Sequence, residues 1–260
     1  MVKPKIHSTA IMDRDAKLSD GVTIGPYCIV GKGVKIGKNT SLISNVVIED
    51  TEVGRDCQIY PFSSIGLPPQ DIKYKGEKTM VKIGDNNIIR EYVTIHRASV
   101  GGDGVTAIGD NNFLMAYVHI AHDCKLGNSI TMANVATLAG HVLMEDHVVV
   151  GGLAAIHQFS RIGAYSMIGG YSAVAQDVPP FTIASGNRAK LYGLNAIGLK
   201  RQGLDASALR DIKQAYNILF RSKLTMKEAI SKVRSEIKLS KEVKHLLEFL
   251  ENGKKRGICR

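Results

Sequence analysis

A six-residue hydrophobic period dominates the middle of the chain. From Ile108 to Val174, an aliphatic residue or methionine occupies every sixth position without interruption. The positions are Ile108, Leu114, Ile120, Leu126, Met132, Leu138, Met144, Val150, Ile156, Ile162, Ile168 and Val174. This period fits neither the 3.6-residue repeat of an α-helix nor the two-residue alternation of one strand. It is typical of a parallel β-helix, in which each hexad forms a short strand and a corner.

A second pattern accompanies the first, four residues after each hydrophobic position. Most of these residues are small, β-branched or thiol side chains, such as Val118, Cys124, Ala136 and Ser160. We expect them to point into a narrow interior beside a corner. The hexads also extend toward the N-terminus, with one shortened phase and one break, at Leu18, Ile24, Val30, Ile36, Leu42, Ile48, Val53, Ile59, Ile65, Ile83, Ile89 and Ile95.

Two segments interrupt the hexads. Residues 66–82 contain paired prolines and several charges, which predicts a loop that protrudes from the coil, with a distorted coil as the alternative. Residues 97–107 contain the sequence GGDG and predict a second loop. The sequence therefore predicts one domain over residues 1–188 that carries both loops.

Helical signals replace the hexads after Pro180. Residues 181–188 read as a connector, and residues 195–202 as a short helix. Three capping residues predict longer helices. Asp205 precedes a helix over residues 206–221, and Thr225 with Glu228 precedes a helix through Glu236. Ser240 precedes a helix that ends at Gly253. We predict a small helical domain over residues 189–260, whose basic segment 254–256 is a solvated end.

Composition limits the location and the partners of the protein. No run of about 20 apolar residues exists, and the segment MVKPKIHSTA lacks an apolar core, so we expect a cytoplasmic protein without membrane insertion.

Cys28, Cys57 and Cys124 fall at inward positions without a CxxC motif, which favours buried thiols. The net charge of +10 indicates an acidic partner. Nucleic acid is not expected, because no nucleic-acid-binding motif is present.

Histidines concentrate in the long run of hexads, which holds five of the chain's eight. If 18 residues make one coil, positions 122, 140 and 158 stack at the strand spacing of about 4.8 Å. His122, Gly140 with His141, and His157 with Gln158 would then form one polar edge, which we call the histidine wall. His147 lies off this line and is predicted to be a surface residue.

His122 is the best candidate for a general base. Asp123 follows it, and a carboxylate beside an imidazole fixes the tautomer and raises basicity. Adjacent strand residues point in opposite directions, so a direct bond requires corner geometry. Because no GxSxG motif exists, direct transfer to a substrate hydroxyl is favoured, with the Gly140 N–H stabilising an oxyanion. His119, His122 and Cys124 offer zinc ligands, but strand alternation does not converge them, so no metal is predicted.

Segments along nearly the whole chain carry a more specific likeness. They are IGLPPQDIKYKGE (65–77), IREYVTIHR (89–97), HIAHDC (119–124), ATLAGH (136–141), AIHQF (155–159), GG followed by YSAVAQDVPP (169–180), and GLNAIGLKR (193–201). Together they resemble the UDP-N-acetylglucosamine O-acyltransferases that begin lipid A synthesis in Gram-negative bacteria. The resemblance implies a mainly β protein, a left-handed parallel β-helix of hexapeptide repeats with three hexads per coil, followed by a small α-helical C-terminal domain.

The resemblance also implies a reaction and an assembly. A homotrimer would hold its active sites between neighbouring coils and pass an (R)-3-hydroxyacyl group from acyl carrier protein to the 3-hydroxyl of a UDP-sugar, without a cofactor. His122, Asp123 and Gly140 match catalytic positions. Substrate-contacting positions of the family match Gln70, Asp71, Lys73, His119, His141, His157, Gln158, Gly170, Arg188, Asn195 and Arg201. Gly170 matches the position that limits the acyl chain, and Arg188, Asn195 and Arg201 match the nucleotide end.

Three departures from the family pattern lie near that nucleotide end. Ile197 replaces an acidic residue, Gln202 an arginine and Arg188 a histidine. They leave open whether the acceptor is UDP-N-acetylglucosamine or its 3-amino analogue. Two hypotheses compete with this enzyme class. One is a related hexapeptide enzyme that uses acetyl-CoA or a different sugar nucleotide, and the other is a non-catalytic structural β-helix or a zinc-containing trimeric β-helix of the carbonic anhydrase type. We further hypothesise that Lys73, Lys75, Lys78 and lysines of the helical region attract the acidic carrier protein.

Overall fold

Short parallel strands form a three-sided coil, and four helices follow it. The structure is a computed structural model that describes residues 2–253 and 255–260. Its strands are β1 (Lys5–Ile6), β2 (Ile11–Met12), β3 (Lys17–Leu18), β4 (Thr23–Ile24), β5 (Ile29–Val30), β6 (Lys35–Ile36), β7 (Ser41–Leu42), β8 (Val47–Ile48), β9 (Thr51–Val53), β10 (Gln58–Ile59), β11 (Ser64–Leu67), β12 (Met80–Ile83), β13 (Ile88–Ile89), β14 (Thr94–His96), β15 (Val105–Ile108), β16 (Phe113–Leu114), β17 (His119–Ile120), β18 (Lys125–Leu126), β19 (Thr131–Met132), β20 (Thr137–Leu138), β21 (Leu143–Met144), β22 (Val149–Val150), β23 (Ala155–Ile156), β24 (Arg161–Ile162), β25 (Met167–Ile168), β26 (Ala173–Val174), β27 (Thr182–Ser185) and β28 (Lys190–Leu194). The helices are α1 (Ala196–Arg201), α2 (Ala206–Arg221), α3 (Met226–Glu236) and α4 (Lys241–Glu251).

Every third strand joins the same parallel sheet, so the coil has three faces. We name the faces by their members: face A contains β1, β4 and their successors, face B contains β2 and β5, and face C contains β3 and β6. In face B, Ile120 pairs with Leu138, which pairs with Ile156. The coil therefore repeats every 18 residues in this region, which is the spacing that the predicted histidine wall requires.

The predicted hexads are confirmed as the inward residues of the strands. Ile120, Leu138 and Ile156 are buried, as are the small residues at the second inward position, including Val118, Cys124 and Ala136. All three predicted buried thiols, Cys28, Cys57 and Cys124, are fully buried. Burying such a side chain contributes about 1.5–3 kcal/mol for the larger aliphatic residues, so the continuous interior is the main source of stability.

The repeat starts two hexads earlier than the sequence pattern indicated. Ile6 and Met12 are the second residues of β1 and β2 and keep the phase of Leu18. Ile6 is 49% exposed because its coil has a neighbour on one side only. The first coil therefore keeps the six-residue period, although its residues are less buried than those of the interior coils.

Corners are made by residues in the left-handed backbone region. Asp123, His141 and Phe159, spaced by 18 residues, have φ values of 60°, 60° and 65°. The same holds for Val135, with a φ of 66°, although β-branched residues rarely adopt this region. The tight corner of each hexad, rather than the local residue type, imposes this conformation.

Both insertions lie between strands but are shorter than predicted. Strand β11 continues to Leu67 and β12 begins at Met80, so residues 68–79 leave the coil. Strand β15 begins at Val105, so the second insertion covers residues 97–104. Buried Arg97 anchors the first loop, because it donates to Gly66 O at 2.8 Å and to Tyr74 Oη at 3.1 Å.

The four predicted helices are present. Asp205, Thr225 and Ser240 cap α2, α3 and α4, and Thr225 forms the predicted capping box with Glu228. Helix α4 ends at Glu251, two residues before the predicted Gly253. None of the described helices is long and apolar enough to cross a membrane.

The coil and the helices have separate hydrophobic cores, and face A extends through β28 to Leu194. The sheet therefore passes the predicted domain boundary at residue 188, and the division into domains stays a prediction. Of the predicted solvated end, Lys254 lies outside the described residues. That prediction is wrong for Arg256, because its side chain packs against the coil.

Candidate active site

His122 and Asp123 form a direct hydrogen bond at the corner between β17 and β18. The distance from His122 Nδ1 to Asp123 Oδ2 is 2.8 Å. The positive φ of Asp123 turns its side chain toward the preceding residue, which supplies the corner geometry that strand alternation lacks. A carboxylate only accepts, so His122 donates from Nδ1 and its Nε2 carries a lone pair. The His122 side chain is 17% exposed and therefore reachable from the surface.

Two residues that the sequence analysis missed hold Asp123. The Ser99 N–H donates to Asp123 Oδ2 at 3.0 Å, and the Asp123 N–H donates to Thr106 Oγ1 at 2.8 Å. Ser99 Oγ also donates to Asp71 of the first loop, which lowers the pKa of Asp71. Ser99 therefore links the first loop to the carboxylate behind His122. Neither Ser99 nor Thr106 occupies a position of the six-residue hydrophobic pattern, so that pattern could not indicate them.

Gly140 lies directly beneath the His122 ring. A Cβ atom at position 140 would lie 2.6 Å from His122 Cε1 and 2.7 Å from Nε2, so a side chain here would displace the ring. The Gly140 N–H donates no hydrogen bond to the described residues. It is therefore an available donor beside His122, as an oxyanion site would require.

Further imidazoles surround this pair. The ring of His141 packs edge-on against His122, with 5.3 Å between ring centres, and stacks on Phe159 at 4.7 Å. Burial lowers the pKa of His141 and of His119. Burial also lowers the pKa of His96, whose ring lies against His119, to about 4. These rings are therefore held in the neutral form and serve as polar lining rather than as cations.

Residues of the first loop and the His157–Gln158 end of the histidine wall lie around the His122–Asp123 pair. The pKa of Asp71 is lowered mainly by the Ser99 hydrogen bond and also by the nearby His122 ring, whereas Gln70 and Lys73 are exposed on the same loop. His157 and Gln158 lie at the corner one coil beyond Gly140, and both are exposed. A cavity of about 400 Å³ opens beside His141, between Gly102 of the second loop and Lys255.

Four predicted substrate residues lie away from this wall. Gly170 occupies the corner between faces A and B, and Arg188 and Arg201 are exposed near the end of the coil and on α1. Asn195 is buried, where it donates to Tyr165 O at 2.9 Å and caps α1 by accepting from Gly198 N. No hydrogen bond or ion pair within the described residues joins any of these four to the histidine wall. Ile197, one of the departures, is 70% exposed on α1.

His147 lies off the wall, as predicted, but it is not a simple surface residue. It is half-buried and stacks on Tyr165, with 4.6 Å between the ring centres. Both rings occupy the corner between faces C and A. His147 is therefore a surface residue whose ring is partly covered by Tyr165.

The zinc ligands considered from sequence do not converge. His119 Nδ1 bonds to Thr94 Oγ1 at 2.7 Å, and the Cys124 thiol is buried with its pKa raised to about 12. His122, Asp123 and His141 do offer three ligand atoms within 4.8 Å of one another. Asp123 Oδ2 already accepts from Ser99 and His122, whereas Asp123 Oδ1 accepts no hydrogen bond from the described residues.

Sequence relatives match this chain over almost its full length. It is 65% identical to the acyl-[acyl-carrier-protein]–UDP-N-acetylglucosamine O-acyltransferase of Thermodesulfovibrio yellowstonii, over 98% of this chain and 99% of that protein. The chain belongs to the UDP-N-acetylglucosamine O-acyltransferase family. It is also 48% identical to the protein of the same name from Syntrophobacter fumaroxidans, over 98% of this chain and 100% of that protein.

Solved structures and a family model agree with this membership. The crystal structure of UDP-N-acetylglucosamine O-acyltransferase from Moraxella catarrhalis superposes with a TM-score of 0.95 at 45% identity, covering 98% of this chain and 99% of that chain. The family model described as UDP N-acetylglucosamine O-acyltransferase, domain 2, matches residues 177–259. The chain is therefore an acyltransferase with the left-handed β-helix of hexapeptide repeats, and the predicted fold class is confirmed.

Proposed function

We propose that this member of the UDP-N-acetylglucosamine O-acyltransferase family transfers an (R)-3-hydroxyacyl chain from acyl carrier protein to the 3-hydroxyl of UDP-N-acetylglucosamine, the first step of lipid A biosynthesis. The supporting observation is the His122–Asp123 pair, whose ring packs against Gly140, a residue with an available backbone N–H. The relatives named for this reaction, at 65% and 48% identity, support the choice of donor and acceptor.

The chemistry proceeds by direct transfer. His122 Nε2 takes the proton of the 3-hydroxyl while that oxygen attacks the thioester carbonyl carbon. The carbonyl oxygen becomes an oxyanion, which the Gly140 N–H stabilises. The C–S bond then breaks, and the imidazolium returns the proton to the leaving thiolate. Asp123 stabilises the imidazolium between these two steps, because its carboxylate is 4% exposed and already oriented by Ser99.

The remaining predicted residues bind the substrates in this proposal. Gln70, Asp71 and Lys73 contact the sugar from the first loop, and His119, His141, His157 and Gln158 line the cleft. The nucleotide end involves Arg188, whose planar guanidinium suits phosphate oxygens, and Arg201. Asn195 acts there by holding α1 in place, because its amide group already bonds to Tyr165 and Gly198. Gly170 limits the acyl chain.

A homotrimer brings these separated groups together in the proposal. Outward side chains of face C are largely charged, as at Lys17, Lys35, Glu52, Lys82, Lys125 and Arg161. Those of face B are uncharged, as at Ile29, Val47, Thr94, Thr137 and Ala155. The corner between faces A and B carries a row of exposed apolar side chains, Phe62, Tyr92, Tyr117, Val135, Leu153 and Tyr171. Face B and this corner are therefore suited to contact a second copy.

Acyl carrier protein is the proposed donor and docks through charge. Lys73, Lys75 and Lys78 lie on the first loop with exposed side chains, beside Asp71 and thus near the catalytic pair. An acidic carrier would be attracted to this loop, and its affinity would weaken as salt screens the charges.

The test is mass spectrometry of products from a panel of acyl carrier protein thioesters, each combined with UDP-N-acetylglucosamine or its 3-amino analogue. We expect a 3-O-acylated product, with one acyl length preferred. His122→Ala should reduce turnover by at least about 1,000-fold while the assembly stays intact, because no other group removes the hydroxyl proton. Near-normal turnover of that variant would refute the base, and an exclusive amide product would identify the amino sugar as acceptor. Stoichiometric zinc in the purified protein would favour the carbonic anhydrase type instead.

A further inference from the structure

The segment Lys255–Arg260, here called the C-terminal strap, returns from α4 to the last coil. The Asp177 N–H donates to Gly257 O at 2.9 Å, and the Cys259 N–H donates to Asp177 O at 2.9 Å. Cys259 is 1% exposed and joins the hydrophobic core of the coil. Its thiol lies 3.2 Å from Ala189 O, to which it donates. These contacts fix the path of the strap, although the sequence carries no repeat or helix signal there.

The strap places two cationic side chains on the histidine wall. Arg256 Nη2 lies 2.8 Å from His157 Nδ1, and Arg256 Nε donates to Gln158 O at 3.1 Å. Lys255 Nζ lies 4.4 Å from the ring centre of Phe159, the residue that stacks on His141. Arg256 therefore contacts the histidine wall directly, and Lys255 contacts the Phe159 ring that packs against it.

The chemistry of arginine determines the state of the His157 ring. A guanidinium only donates hydrogen bonds, so His157 Nδ1 must accept the one from Arg256. His157 Nδ1 also lies 3.2 Å from Gln158 O, but a bond there would need a proton on Nδ1, directed at the Arg256 N–H. Arg256 already donates to that same carbonyl oxygen. The ring proton therefore lies on Nε2, and because His157 is exposed, this N–H is available to a ligand.

We infer that Arg256 is a positioning residue of the acyltransferase, which holds His157 as an Nε2–H donor for an oxygen of the bound UDP-sugar. This inference rests on the proposed function, because the donor needs a substrate in the cleft. The guanidinium also holds the Gln158 backbone, so one side chain orients both residues at this corner. Loss of Arg256 would leave His157 free to rotate and to change tautomer.

The test compares Arg256→Met and Arg256→Lys with Arg260→Met in the full-length protein. Arg260→Met removes the same charge from an exposed position of the strap. We expect Arg256→Met to lower kcat/KM by about 10- to 100-fold, mainly through a higher KM for the UDP-sugar, because a charge-assisted hydrogen bond is lost. Arg256→Lys should recover part of the loss, since an ammonium still donates to Nδ1. Arg260→Met should behave as wild type.

A double-variant cycle separates positioning from a general effect on folding. In the His157→Gln background, Arg256→Met should add less than about a twofold loss, because its partner ring is already gone. A full additional loss in that background would overturn the inference, and so would wild-type kinetics of Arg256→Met. If Arg256→Met melts at a lower temperature than the wild type, the same cycle is measured with Arg256→Lys in place of Arg256→Met.

A readout independent of catalysis distinguishes this inference from the proposed function. Ring-¹⁵N histidine spectra, with His157 assigned by its absence from His157→Gln, should show an unprotonated Nδ1 in the wild type and mixed tautomers in Arg256→Met. Identical spectra in both proteins would overturn the role of Arg256 even if acyl transfer is intact. Absence of acyl transfer by the wild type would instead overturn the proposed function.

Discussion

At the scale of single residues, the His122–Asp123 hydrogen bond depends on a backbone conformation rather than on a motif. Asp123 reaches His122 because the corner holds it at a φ of 60°. The sequence predicted both residues, but not the bond, since alternation along a strand directs neighbours apart. Most of these corners carry Asn, Asp, His or an aromatic residue, with Val135 among the exceptions, so an aspartate at a corner does not by itself single out position 123.

Gly140 gives the sharpest prediction at this scale. Gly140→Ala would place a methyl group 2.6 Å from the His122 ring, which must then move. We expect kcat to fall by roughly 100-fold, because displacement of a catalytic group by about 1 Å costs that much. Steady-state kinetics would check this expectation. Gly193→Ala is the control, because a Cβ there meets nothing within 4 Å. Unchanged kcat in Gly140→Ala would contradict the close packing of the base.

Other site residues could not be predicted because they belong to no repeat. Ser99 lies in the second insertion and acts partly through its backbone N–H, a group that every residue except proline carries. Arg256 lies in a short basic segment, and such segments are usually solvated. The wall histidines were predictable because an 18-residue spacing converts sequence distance into spatial contact.

At the scale of elements, the strands were predictable from the hexads, but one polar exception was not. Asn87 and Asn112 occupy inward positions where other hexads have small residues, and both are buried. Asn87 Oδ1 accepts from Asn112 N at 2.9 Å, and Asn112 Oδ1 accepts from Ile130 N at 2.8 Å. The two side chains thus form a polar ladder across successive coils. Each side-chain oxygen accepts a hydrogen bond from a backbone N–H of the next coil.

Asn112→Ala tests this ladder. The substitution leaves Ile130 N and Gly127 O without their side-chain partner, and each unsatisfied buried group costs about 1–3 kcal/mol. We expect the free energy of unfolding to fall by about 2–4 kcal/mol in urea titrations at fixed protein concentration. Asn134→Ala, at an exposed corner, should change it by less than about 0.5 kcal/mol. Equal effects of the two substitutions would show that the ladder adds nothing.

At the scale of the whole molecule, face B and the apolar corner beside it are the surfaces that a second copy would cover. Phe62, Tyr92 and Tyr117 stack in series, with ring centres 5.0 and 4.8 Å apart, although each is exposed. A row of exposed rings of this kind indicates an interaction surface. The sequence predicted the trimer only through the resemblance, because the hexad pattern does not say which face is covered.

Tyr117→Lys is the corresponding prediction. A lysine would place a charge within the apolar row, so we expect the trimer to dissociate and acyl transfer to fall with it. Sedimentation velocity would measure the assembly. Leu143→Lys, on the charged face C, is 44% exposed in the wild type and should remain trimeric. A trimeric Tyr117→Lys variant would place the subunit contact elsewhere.

The strap connects the order of synthesis to the order in which the site is completed. A ribosome makes His122, Asp123 and Gly140 long before Arg256, and a parallel coil can build on itself from its N-terminal end. A nascent chain therefore contains His122 well before it contains Arg256, the residue that hydrogen-bonds to His157. A protease that cuts at exposed Asn252 and frees the strap would remove the contacts of Arg256 with His157 and Gln158.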